Sequence, residues 1–100
     1  MPRPEYVTQE DIIRWDSIID QELPAVVASN LLIKEVCYAG QWLGEQLKAL
    51  DCSEEYIVRI VFTAGKLSFG RDPWDVSVTL LRAYELNELE YESDPDYNVN

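Results

Sequence analysis

In residues 30–50 the apolar positions Leu32, Val36, Ala39, Leu43, Leu47 and Leu50 follow one another at steps of four, three, four, four and three. That spacing is one stripe of an α-helix, because residues three and four apart lie above one another on a 3.6-residue repeat. The other flank is apolar as well, carrying Leu31, Ile33, Cys37, Tyr38 and Trp42. A helix of this kind needs neighbours on more than one side. The expectation is an all-α fold, a small bundle of four to five helices around this central one. One hundred residues, 47% of them hydrophobic, suit a single domain, since a chain of this length buries roughly 65% of the surface its unfolded form exposes.

Before the central helix, residues 1–7 hold two prolines within four positions and read as an extended arm. Thr8 then has the chemistry of an N-cap, with Gln9, Glu10 and Asp11 in the first turn, where acids favour the helix dipole. Ile12, Trp15, Ile19 and Leu23 give this first helix its inner face, while Glu10, Arg14, Asp16, Asp20 and Gln21 make the outer face mostly negative. Pro24 either ends it or opens the next helix. The central helix accordingly starts at Pro24 or after Ser29 and Asn30. Gly40 and Gly44 each cost about 1 kcal/mol relative to alanine in a helix interior, which points to the close approach of another helix; a break at Gly40 is the alternative. Lys34, Glu35, Glu45 and Lys48 exclude a membrane dimer motif here.

Ser53 followed by Glu54 and Glu55 starts another helix, with Tyr56, Ile57, Ile60, Val61 and Ala64 at helical spacing and Gly65 suited to a left-handed end. The β-branched density of residues 57–63 also suits a buried strand. Cap and terminal glycine favour the helix. Residues 66–71 read as a connection. Asp72-Pro73-Trp74-Asp75 is a strong start signal, a capping Asp followed by proline at the first helical position. Val76, Leu80, Ala83 and Tyr84 supply an inner face, although residues 76–80 alternate as a strand would. The helical core is expected over residues 8–91, with an acidic tail over 92–100.

Chemistry is scarce. Histidine is absent, which removes the commonest general base and metal ligand together. Cys37 and Cys52, fifteen apart, make neither a zinc site nor a disulfide framework and read as buried thiols. The adjacent acids Glu10 and Asp11, and Glu54 and Glu55, sit at helix starts where the dipole accounts for them. The acids from Glu88 to Asp96 lack the glycine and spacing of a calcium loop. No catalytic residue, cofactor or metal site is expected, and the chain reads as a binding protein rather than an enzyme.

Its charge is −11, and the charge is segregated: residues 1–22 hold six acids and two bases, residues 23–84 seven and six, residues 85–100 six and none. Two acidic ends on a near-neutral middle create a field that steers a basic partner. Without a basic stripe to displace counterions, direct nucleic-acid binding is disfavoured. No apolar run is long enough for a membrane span and no secretory signal opens the chain, so the expected location is the cytoplasm. The candidate contacts are Asp16, Asp20 and Glu22 on the first helix, and Glu85, Glu88, Glu90, Tyr91, Glu92, Asp94 and Asp96 towards the C-terminus. Carboxylates there can pair with arginines that otherwise grip phosphate, and Tyr adds contact area at low entropic cost.

In size, acidity and lack of catalytic residues the chain resembles the small inhibitors that phages and mobile elements direct against DNA-handling defence systems, anti-CRISPR and anti-restriction proteins among them. The resemblance covers the whole chain as a type and rests on no shared motif. It implies a protein that sits on a basic, nucleic-acid-binding surface of a protein or ribonucleoprotein and occludes it, as a DNA mimic or sterically. An immunity or antitoxin-like protein that neutralises one basic toxin fits the same features. A subunit that self-associates through the flank of the central helix is a third reading.

Overall fold

Three helices begin where their caps predict, at Thr8, Ser53 and Asp72, and the open choice between Pro24 and Asn30 resolves into two helices, one starting at each. The computed structural model describes residues 3–89. Thr8 caps α1 (Gln9–Glu22) in a reciprocal capping box with Asp11. Pro24 opens a single turn, α2 (Ala25–Ala28), and Asn30 caps the central helix α3 (Leu31–Ala49) by accepting from the backbone N–H groups of Leu32 and Ile33. Ser53 caps α4 (Glu54–Leu67), and Asp72 with Pro73 opens α5 (Pro73–Glu85). Among the described residues there is no strand: residues 56–63 lie in α4 and 76–80 in α5.

Helix α3 is the axis of the bundle, with α1, α2, α4 and α5 all packed against it. Its buried side chains are Tyr38, Ala39, Trp42, Leu43 and Leu47. The expected stripe is therefore correct in its middle and displaced at its ends, since Leu32 is 81% and Leu50 42% exposed. The core turns towards Tyr38 and Trp42 because α5 brings Trp74 and α1 brings Trp15 to that side. Their rings form a continuous series, Tyr6 to Trp42 at 6.3 Å, Trp42 to Trp74 at 6.0 Å, Trp74 to Trp15 at 6.4 Å and Trp15 to Tyr38 at 6.4 Å between centroids. Such tilted and edge-on contacts are favoured by the ring quadrupoles. The indole N–H of Trp15 donates to Glu45 and that of Trp74 to Glu35, which satisfies two donors that burial would otherwise strand.

Gly40 and Gly44 face α4, the expected neighbour, although the approach leaves room for a Cβ at either position. A Cβ on Gly40 would lie 3.5 Å from Val61, and one on Gly44 3.8 Å from both Ile57 and Val61. The helix runs unbroken through both.

Three expectations change. Gly65 is not a helix end: α4 continues to Leu67, and the left-handed backbone falls at Gly70, with φ +73°. Helix α5 stops at Glu85, short of the expected end of the helical core, because Asn87 takes φ +59° while Asn87 donates to the Tyr84 carbonyl and Glu88 to that of Ala83. That pair of bonds is a Schellman motif, and Asp51 (φ +64°) closes α3 in the same way. Finally, the described part of the N-terminal arm is a strap rather than a free extension. Val7 donates back to the Pro4 carbonyl, Arg3 pairs with Glu35 and lies over the Tyr38 ring, and Tyr6 covers Trp42. Cys52 is buried and Cys37 half-buried, both as free thiols, and burial pushes the Cys37 thiol up.

Candidate functional site

The acids singled out in the sequence divide into those the fold consumes and those it leaves available. Asp16 is consumed. Its carboxylate accepts a 2.6 Å hydrogen bond from the Tyr38 hydroxyl and pairs with Lys34 at 3.3 Å. The Tyr38 bond first, then Lys34, holds the Asp16 carboxyl below its usual range, while burial and the neighbouring Asp16 push the Tyr38 hydroxyl up to about 12. Asp16 thus joins α1 to α3, with its side chain 32% exposed.

The same fate meets the other acids on this seam. Arg14 bridges Asp11 and Glu45, and Arg3 holds Glu35, whose carboxyl lies below its ordinary value chiefly through that hydrogen bond. Arg3, Arg14 and Lys34, the bases before residue 48, are all spent on these internal pairs. None of these three bases pairs with Asp20 or Glu22. Both are exposed and make no ion pair or hydrogen bond among the described residues. Glu22 stands at the mouth of an apolar cleft of about 300 Å³ between α1, α3 and α4, lined in part by Leu23, Val36, Cys37 and Gly40.

Glu85 and Glu88 are exposed at the end of α5, likewise without a partner among the described residues. Glu85 shares one cleft with Leu50 and another with Tyr6, Trp42 and Gln46, near the C-terminal part of α3. Asp20 and Glu22 sit beside the N-terminal part of α3, so the fold does not bring the two acidic groups into one patch. Glu90, Tyr91, Glu92, Asp94 and Asp96 lie outside the described residues. The Schellman turn at Asn87 ends α5 beside Glu88.

Among the described residues, no group of three or more His, Cys, Asp or Glu side chains is placed to hold a metal ion, and no helix is long and apolar enough to cross a membrane. What sequence reasoning missed lies on α4 and in the turn that follows it. Val58, Phe62 and Phe69 are 65%, 65% and 90% exposed. Their spacing of four and seven was legible as a stripe, but no rule says that a second apolar stripe faces solvent. No protein-family model matches this chain, and neither do the curated proteins or the solved structures.

Proposed function

We propose that this chain is a non-enzymatic binding protein that docks its unneutralised acidic groups onto a basic, nucleic-acid-binding surface of a protein or ribonucleoprotein and blocks it, in the manner of a phage-type inhibitor of a DNA-targeting defence complex. The observation that carries this reading is the division of the carboxylates. The fold spends its N-terminal bases on Asp11, Asp16, Glu35 and Glu45 and leaves Asp20, Glu22, Glu85 and Glu88 exposed and unpaired among the described residues. A solubility role is served by either set, whereas an interaction with an arginine-rich surface needs carboxylates that no internal base already holds.

The test is affinity capture from a host lysate at low ionic strength, with elution along a salt gradient and identification of the eluted proteins. The expected partner is a nucleic-acid-binding complex that elutes steeply with salt, because exposed charge pairs are screened beyond about 8 Å at physiological ionic strength. A single basic toxin in the eluate supports the antitoxin reading instead. A partner retained through high salt contradicts electrostatic docking.

A further inference from the structure

We propose that two copies of this chain associate through the outer face of α4, packed antiparallel about a two-fold axis beside residues 60–61. Three observations lead there. First, Val58, Phe62 and Phe69 stand 65%, 65% and 90% exposed. Together they leave roughly 400 Å² of apolar surface open, taking about 150–250 Å² for a whole aromatic side chain. That is about half of the ~800 Å² per partner that a standard interface buries, and the charged side chains flanking the stripe supply the remainder.

Second, Gly65 is exposed one turn from Phe62, at the rim of the cleft that Glu22 also lines, and no described side chain of its own copy occupies the space a Cβ there would take. Gly40 and Gly44 face α4, and Gly70 takes a positive φ; a Cβ on Gly65 would meet no described atom within 4 Å, and its φ is not positive. A glycine inside a helix costs about 1 kcal/mol relative to alanine. Close approach of a second backbone gives that missing side chain a reason.

Third, the charges along the face complement their own reversal. Helix α4 has Glu54 and Glu55 in its first turn, Arg59 in the middle and Lys66 in its last turn, and so is neutral overall. Antiparallel packing puts Glu55 of each copy opposite Lys66 of the other and Val58 beside Phe62. Glu55 makes no ion pair among the described residues, and Lys66 lies over the Phe62 ring at 5.0 Å. Helix α1, with five acids and one base, would repel its copy. A two-fold arrangement also closes, so the pairing stops at the dimer. The proposal rests on α4 side chains and uses none of the acidic docking groups, although Glu22 lines the same cleft as Gly65.

Sedimentation velocity across a concentration series up to ~100 µM, a range that covers micromolar dissociation constants, reads the mass directly. The expected result is a species of twice 11.6 kDa. Phe62→Asp, Glu55→Lys and Lys66→Glu are each expected to raise the dimer dissociation constant at least tenfold, and the double variant Glu55→Lys/Lys66→Glu to restore it. Gly65→Leu is expected to give a monomer whose thermal midpoint equals or exceeds that of the parent, which separates loss of the interface from loss of the fold. A mass of 11.6 kDa throughout overturns the proposal. So does a dimer indifferent to Phe62→Asp, or a double charge variant that stays monomeric.

Discussion

Asp16 and Asp20 stand one helical turn apart on α1 and have opposite fates. Tyr38 and Lys34, both on α3, reach Asp16, whereas Asp20 meets no base. The acidic face was legible from spacing within α1, but the partners are 22 and 18 residues away in sequence, and only packing decides which acid they reach. The pairing has a pH signature. Asp16 and Glu35 ionise more readily in the folded chain than at their ordinary values of 3.8 and 4.5. Their contribution to stability is therefore complete above those values and is lost as the pH falls below them through the lower folded values. Urea midpoints are expected to hold steady from about pH 7 to about pH 5 and to drop below about pH 4. Glu35→Gln is expected to make that drop shallower; an unchanged acid limb would remove this pair from the account. Burial gives a second residue-scale prediction: Ile60, fully buried against α3, should cost about 2–5 kcal/mol when changed to Ala, read as a fall in the urea midpoint with an unchanged slope.

The helices were legible because their beginnings are written locally. Thr8, Asn30, Ser53 and Asp72 each accept a backbone N–H of the first turn, and that chemistry needs no distant partner. Ends were harder. Gly65 and Gly70 are equally permissive in sequence, and which one turns left-handed depends on Ala64, whose 3% exposure keeps α4 on the core past Gly65. Asn87 and Asp51 end their helices as non-glycine residues, a weaker signal than glycine. Asp72→Ala is expected to destabilise by about 1 kcal/mol, the ordinary cost of a lost cap, seen as a lower thermal midpoint. Gly44→Ala should act in the opposite direction. Its new Cβ would make ordinary contacts of 3.8 Å with Ile57 and Val61, so the gain in helix propensity, about 0.5–1 kcal/mol, should appear as a higher midpoint.

At the scale of the whole molecule, segregated charge was readable from the sequence as far as net counts go, and the structure refines it. The bases of the N-terminal part are paired with Asp11, Asp16, Glu35 and Glu45, so the charge left unpaired on the last turn of α1 is that of Asp20 and Glu22. The placement of Asp20 and Glu22 on one side and Glu85 and Glu88 on the other was not readable, because it depends on the antiparallel run of α1 along α3 and on where the turn at Asn87 ends α5. Two separated groups fit a partner whose basic surface is extended, as a nucleic-acid channel is. The most direct measurement is a competition experiment: the captured partner is loaded with a fluorescent oligonucleotide, and displacement is followed as the chain is titrated, in parallel with a variant carrying Asp20→Lys, Glu22→Lys, Glu85→Lys and Glu88→Lys. Displacement by the parent chain, weakened by about 1–3 kcal/mol in the variant whose helical content is unchanged, is the predicted result; an oligonucleotide that stays bound at saturating chain, or equal displacement by both proteins, would contradict the account.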